Sequence, residues 1–119
     1  MLQGPNWTLP FHIHTDASDK FVGDVLGQDE DNKPYAIYFI SKNLVGAELN
    51  YIVTEKELLA VVHSLNKFNH SVIGYKVFVH TNHAAIRYLM NKLDVNGRMI
   101  RWFLLLQQFD LIIFDKSGK

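Results

Sequence analysis

The sequence predicts an α/β fold in which helices cover a mixed sheet of five strands. Three observations predict it. Apolar and polar residues alternate along three neighbouring segments near the N-terminus, which is typical of an antiparallel meander. The apolar spacing then changes to three and four residues over positions 55–68, as in an amphipathic helix. Two further apolar strands follow, and the helix that leads into the first of them makes a crossover, so a mixed sheet is expected.

Length and composition favour one packed domain. The chain has 119 residues, of which 48% are hydrophobic, and its 12 basic and 12 acidic residues cancel. Such a chain can bury a core, but it does not hold nucleic acid by net charge alone. The lack of cysteine excludes disulfides, thiolate metal sites and a cysteine nucleophile. We expect a linker segment at 1–10, a domain over 11–119, an intracellular location and no membrane partner, because the chain shows no signal peptide and no apolar run of about 18 residues.

The meander is predicted from three apolar segments with polar turns between them. Phe11–His14 alternates apolar and polar residues, and the polar run Asp16–Asp19 ends it as a turn. Phe21–Leu26 is the second predicted strand. The polar run Gln28–Pro34 is the second turn, and Tyr35–Ile40 is the third strand.

The second half is predicted to contain three helices and two strands. Thr54 is a suitable N-cap for a helix over Glu55–Phe68, whose apolar residues form one stripe. The remaining elements are a strand at 76–80, helices at 84–90 and 98–108, and a strand at 109–114. A turn is expected at 94–97, and the last four residues are expected to form a polar end.

Three polar residues are expected at the ends of elements, where α/β sheets bind ligands. Asp16 follows the first strand, Glu57 lies in the first turns of the long helix, and Asn82 follows the fourth strand. If the first and fourth strands are neighbours, these oxygens gather at one place, as in Mg²⁺ sites. Each residue also has a local explanation: an Asx-type turn at Asp16, a capping box between Thr54 and Glu57, and an N-cap at Asn82. The residues alone leave both interpretations open.

Six histidines raise the question of a transition-metal site, above all His12 with His14 and His80 with His83. Alternate residues of a strand share one face. The chain has no cysteine and no His-Glu-x-x-His spacing, so we expect no zinc site.

A series of motifs in a specific order covers essentially the whole chain. They lie at 6–11, 15–19, 22–28, 38–42, 50–51, 54–62, 81–85, 98–102 and 105–110, and they include Thr-Asp-Ala-Ser-Asp and Thr-Glu-Lys-Glu-Leu-Leu-Ala. In this order they resemble the ribonuclease H domain of reverse transcriptases from gypsy-type LTR retrotransposons, particularly those of plants. The resemblance implies a ribonuclease H-like fold with a five-stranded mixed sheet. It also implies two partners, an RNA/DNA hybrid and the polymerase domain of the same polyprotein, in a cytoplasmic particle or the nucleus.

The resemblance further implies hydrolysis of the RNA strand of RNA/DNA hybrids, with two Mg²⁺ ions, or Mn²⁺, held by four carboxylates. By motif, Asp16 is the first carboxylate and Glu57 the second, which leaves Glu55 as a surface residue. Asn82 stands where the family has the third, an aspartate, and it offers one neutral ligand oxygen. The fourth belongs to a last helix beyond Lys119, so we expect the C-terminal helix to be missing and the domain to be truncated. We therefore expect weak or absent activity, and the alternative is a non-catalytic module that binds hybrid or the polymerase domain.

Further residues are assigned by position. The expected substrate-binding residues are Ser18, His83, Arg98 and Arg101. The alternative for the two arginines is that Trp102 packs their helix while they face water. Asp24 is expected to face solvent from the second strand, with a place at the edge of the site as the alternative. A phosphoacceptor or small-ligand domain built around Asp16 is a third interpretation, which explains the motifs poorly.

Overall fold

In residues 4–92 and 97–115, which the structure describes, five strands form one sheet in the order β3-β2-β1-β4-β5. The structure is a computed structural model. The strands are β1 Phe11–Ala17, β2 Phe21–Glu30, β3 Lys33–Asn43, β4 Lys76–Thr81 and β5 Asp110–Asp115. The helices are α1 Val53–Val72, α2 His83–Asn91 and α3 Gly97–Leu106, and a short 3₁₀ helix lies at Gly46–Asn50. β1 is antiparallel to β2 and parallel to β4, which confirms the predicted mixed sheet.

The hairpin between β2 and β3 is longer than the sequence predicts. The predicted turn at 28–34 contracts to Asp31 and Asn32, whose φ angles of 54° and 63° suit a two-residue hairpin turn. Gln28 is buried within β2 because its side chain accepts from the Asn6 backbone N–H and donates to the Asn6 carbonyl, both at 2.8 Å. These bonds also attach the predicted linker segment to the sheet. The predicted turn at 94–97 and polar end at 116–119 lie mostly or wholly outside the described residues.

A β-bulge between Leu26 and Gly27 brings Gly27 against the backbone of β3. A Cβ atom at Gly27 would lie 2.6 Å from the carbonyl oxygen of Tyr35. We expect Gly27→Ala to lower the free energy of unfolding by about 1–3 kcal/mol, the usual cost of overpacking, measured by urea denaturation. Gly23→Ala is the matched control on the same strand, because the nearest atom to its Cβ, the Ile40 carbonyl oxygen, is 4.0 Å away. Equal unfolding midpoints for the two variants would contradict this account.

Helix α1 lies at the centre of the core. Val61 and Leu65 pack with Ile13 and Val79 of the sheet, whereas Leu58 packs in a second cluster that α2 and α3 complete. This confirms the apolar stripe predicted for the long helix. The opposite side of α1 is polar, and none of the helices in the described part of the chain is long and apolar enough to span a membrane.

Candidate active site

The carboxyl ends of β1 and β4 lie side by side and carry two of the predicted site residues. The parallel register pairs His14 with His80, and Asp16 and Asn82 each follow two residues later in the chain. Asp16 is exposed near the end of β1, and Asn82 is half-buried directly after β4. The prediction that the first and fourth strands are neighbours is confirmed. The catalytic roles of residues at this sheet end stay predictions.

Ser18 shapes the turn that follows β1. Its hydroxyl accepts from the Phe21 backbone N–H at 3.1 Å and lies 3.0 Å from the Phe21 carbonyl oxygen, to which it donates. Because β1 extends through Ala17, Asp16 lies within the strand, and the prediction of an Asx-type turn beginning there is wrong. Its exposed carboxylate therefore projects from regular strand backbone. Substrate contact by Ser18 stays a prediction.

The first turn of α1 is attached to the same end of the sheet. The Lys56 ammonium, on a buried side chain, donates to the backbone oxygen of Asp19 at 3.0 Å. This bond holds the start of α1 against the turn that follows Asp16, and the half-buried Glu57 is the next residue of the helix. The three predicted site residues thus come from adjoining elements.

The N-terminal cap of α1 differs from the prediction. The helix begins at Val53, and the Glu55 carboxylate accepts from the backbone N–H of Ile52 at 3.2 Å. The predicted capping box between Thr54 and Glu57 is therefore wrong, because both residues lie inside the helix. The competition between capping and catalysis is thereby removed for Glu57, because Glu55 takes the capping position.

Asn82 caps α2, as one of its two interpretations predicts. Its side-chain oxygen Oδ1 accepts from the backbone N–H of Ala84 at 2.8 Å. That oxygen is the only atom of the side chain able to bind a cation, because the amide nitrogen is a donor. As it stands, Asn82 contributes a helix cap to the site and no charge.

His83 connects the start of α2 to the end of β5. Its Nε2 lies 3.1 Å from the carbonyl oxygen of Ile113, and its Nδ1 lies 3.7 Å from a carboxylate oxygen of Asp115. Substrate binding by His83 stays a prediction. Asp115 is a further carboxylate at this end of the sheet that the sequence analysis missed by ending the last strand at Phe114. An acidic residue directly after an apolar strand, as at Asp16, is the signal that would have found it.

Arg98 and Glu55 form an ion pair that joins α3 to α1. Arg98 Nη2 lies 2.7 Å from Glu55 Oε2, and the guanidinium lies over the rings of Tyr51, 4.3 Å from its centroid, and Trp102, at 5.3 Å. The Glu55 side chain is only 13% exposed, so the expectation of a surface residue is wrong. Burial, followed by the Glu55 charge, raises the pKa of Tyr88.

The two arginines of α3 have different surroundings. Trp102 is buried in the core, which confirms that it packs the helix, whereas Arg101 is exposed. The guanidinium of Arg98 is occupied within the fold. Contact of either arginine with nucleic acid stays a prediction.

Asp24 faces the helix side of the sheet. It lies between Val22 and Leu26 in the alternation of β2 and is only 2% exposed, so the expected solvent-facing position is wrong. Its neighbours across the sheet are Thr15 and Ile40. The alternative place at the edge of the active site stays a prediction.

The histidines group differently from their spacing in the sequence. His12, His14 and His80 each offer a ring nitrogen, and these three atoms lie within 4.8 Å of one another, while His83 is directed to β5. Burial, followed by the proximity of His14 and His12, lowers the pKa of His80 to about 4. His80 is therefore neutral at pH 7.

Comparison with known families identifies the chain at the level of the domain. Residues 6–109 match the family described as the RNase H-like domain found in reverse transcriptase. The retrovirus-related Pol polyproteins of the Drosophila melanogaster transposons opus and gypsy are each 32% identical over 120 residues. These alignments cover 100% of this chain and 12% and 11% of the two polyproteins, so the chain spans about an eighth of its relatives.

Solved structures agree on the fold. A foamy viral protease-reverse transcriptase in complex with dsDNA superposes with a TM-score of 0.78 and 21% identity, over 99% of this chain and 26% of that one. The foamy viral protein in complex with an RNA/DNA hybrid gives 0.73 and 18% identity, over 99% of this chain and 17% of that one. The two superpositions and the family match over residues 6–109 agree. This chain belongs to the RNase H-like domains found in reverse transcriptase.

Proposed function

We propose that this domain hydrolyses the RNA strand of RNA/DNA hybrids at the sheet end that carries Asp16, Glu57 and Asn82. The observation that carries the proposal is the meeting of three elements: parallel β1 and β4 end together, and the Lys56–Asp19 bond brings the first turn of α1 to the same place. Membership of the RNase H-like domains found in reverse transcriptase and similarity to a protein solved with a hybrid support the substrate. Hydrolysis at phosphorus would leave a 3′-hydroxyl and a 5′-phosphate.

The residues at this sheet end fit divalent cations of the hard, oxygen-binding class. RNase H-like domains generally use divalent metals, and carboxylate oxygens are the ligands that Mg²⁺ prefers, with Mn²⁺ close in chemistry. Asp16 and Glu57 would hold the metal. When bound there, divalent cations activate water and stabilise the charge that develops on the phosphate.

The remaining site residues would position the helices around the site or bind the hybrid. Asn82 fixes the start of α2 against the end of β4, and His83 fixes it against β5. Arg101, exposed on α3, would contact phosphates of the hybrid, and Ser18 would lie beside the sugar–phosphate backbone at the β1–β2 turn. Arg98 would stabilise the fold through its ion pair with Glu55 and would not contact the hybrid.

A second function is favoured by one observation. Asn82 supplies neither a charge nor a spare oxygen at the position where the resemblance implies an aspartate. A site that lacks this charge suits a non-catalytic module that holds the hybrid or the polymerase domain. Retention of hybrid without cleavage would identify it.

The test is cleavage of a hybrid with a labelled RNA strand, in Mg²⁺ and then in Mn²⁺. We expect Asp16→Asn and Glu57→Gln each to lower the rate about 100-fold or more, because each removes a charge that acts on the transition state. Asp19→Asn is the matched control: Asp19 is also exposed in the same segment, and only its backbone oxygen bonds to Lys56. Equal loss in all three variants, or cleavage that survives Asp16→Asn, would contradict the proposal.

The parent protein is proposed to be the polyprotein of a gypsy-type LTR element. The matched opus and gypsy polyproteins support a transposon origin. The motif order of the sequence favours a plant element. The activity would then belong to a cytoplasmic particle or the nucleus, beside the polymerase domain of the same polyprotein.

A further inference from the structure

Three histidines converge on the face of the sheet that lies opposite α1. His12 and His14 are alternate residues of β1 and share this face, and the parallel register places His80 of β4 directly beside His14. The His14 and His80 rings stack with centroids 4.0 Å apart. One ring nitrogen from each of the three histidines lies within 4.8 Å of the other two.

Two of the nitrogens are already in direct contact. His12 Nδ1 and His80 Nε2 are 2.8 Å apart, a distance that requires one hydrogen and one lone pair between two imidazoles. A cation bound between them would use both lone pairs. The hydrogen moves to the other nitrogen of the His80 ring, so binding needs a change of tautomer and no net loss of a proton. Binding also needs the stacked His14 and His80 rings, whose planes differ by 10°, to turn so that their in-plane lone pairs converge on the ion.

Asp29 lies beside the ring nitrogen of His12 that points away from the cluster. Its Oδ2 lies 3.6 Å from His12 Nε2, the nitrogen that does not face His80. The carboxylate favours a hydrogen on Nε2 and hence a lone pair on Nδ1, which faces the cluster. A carboxylate behind a metal-binding histidine is the usual means of fixing its tautomer.

Space and packing also suit a bound ion. A cavity of about 170 Å³ adjoins the cluster and is lined partly by His12, His14 and Asp29, which leaves room for water as a further ligand. On the other side, the His80 ring stacks against Phe114 with centroids 5.2 Å apart. The histidine cluster thus packs against Phe114 on the β5 side and borders the cavity on the β2 side.

We propose that His12, His14 and His80 form a binding site for a borderline divalent transition metal, represented by Zn²⁺, with Asp29 as the positioning residue. Three imidazoles and a water complete the usual tetrahedral set for Zn²⁺. Imidazole selects Zn²⁺, Cu²⁺ or Ni²⁺ over Mg²⁺, which prefers oxygen, so this site is chemically distinct from the one proposed at Asp16. The proposal departs from the expectation of no zinc site, and it does not depend on the proposed hydrolysis. The ion would join β1 to β4 just before the ends that carry Asp16 and Asn82.

The test is titration of the 119-residue chain with Zn²⁺, by calorimetry and by competition with a chromophoric chelator. We expect one equivalent to bind and to raise the melting temperature, because a ligand that binds only the folded state stabilises it. His14→Gln and His80→Gln should abolish this binding. Asp29→Asn should weaken it about 10–100-fold, the usual effect of removing a carboxylate behind a metal ligand.

Two control variants separate this site from others. His70→Gln removes an exposed histidine from the last turn of α1 and should leave Zn²⁺ affinity unchanged, as should Asp16→Asn. Circular dichroism checks that each variant folds. If His80→Gln does not fold, the result for His14→Gln is the one that tests the proposal, because His14 is exposed and its replacement should leave the fold intact. Wild-type affinity in folded His14→Gln, or loss of the Zn²⁺ site in Asp16→Asn, would overturn the proposal.

Discussion

Asn82→Asp is expected to raise the rate of hybrid cleavage about 100-fold. The variant keeps the α2 cap, because an aspartate oxygen accepts from the Ala84 N–H as the amide oxygen does at 2.8 Å. Its second oxygen replaces an amide nitrogen that cannot bind a cation. A preorganised charge that acts on the transition state contributes about 10²–10³ in rate.

The stability of this variant distinguishes a gain in chemistry from a gain in folding. A negative charge at the start of α2 interacts favourably with the helix dipole, so we expect the melting temperature to stay equal or to rise slightly. Asn66→Asp is the matched control, since it adds the same charge at an exposed position of α1. A rate gain shared by both variants would contradict a local effect at residue 82, and no gain in either would favour the non-catalytic module.

Much of the fold could be predicted from local pattern. Alternation and apolar segments predict the five strands, and apolar spacing predicts the long helix α1, because these patterns reflect which residues are buried. The ends of β2 and β3 could not be predicted in this way. Gln28 is buried in a strand because it bonds to Asn6 and Leu9, about 20 positions earlier in the chain, and no local pattern records such partners.

The candidate site, too, could be predicted only where local sequence pattern determines it. Asp16 and Asn82 could be predicted as site residues because each lies at the end of a predicted strand. The start of α1 could not be predicted correctly, because exposed Val53 and its neighbour Ile52 are apolar and give no sign of a polar N-cap. The contact of His12 with His80 spans 68 positions and depends on the parallel register, which periodicity does not specify. Long-range register and side-chain partners are thus the information that the sequence alone lacks.

Arg98→Ala is expected to lower the free energy of unfolding by about 2–3 kcal/mol. Breaking a buried ion pair costs about 3–5 kcal/mol, and the 28% exposure of the Arg98 side chain reduces that figure. The loss includes the packing of the guanidinium over Tyr51 and Trp102. Urea denaturation of this variant, of Glu55→Gln and of the double variant gives the coupling between the two side chains.

Arg101→Ala separates stability from binding on the same helix. Arg101 is exposed, so its removal should change the free energy of unfolding by less than about 0.5 kcal/mol. If it contacts phosphate, the variant should weaken hybrid binding and reduce the salt dependence of that binding, since one fewer counterion is released. A folded Arg98→Ala domain, in contrast, should keep the salt dependence of the wild type. The opposite result, a reduced salt dependence in Arg98→Ala alone, would show that Arg98 leaves Glu55 to bind the hybrid.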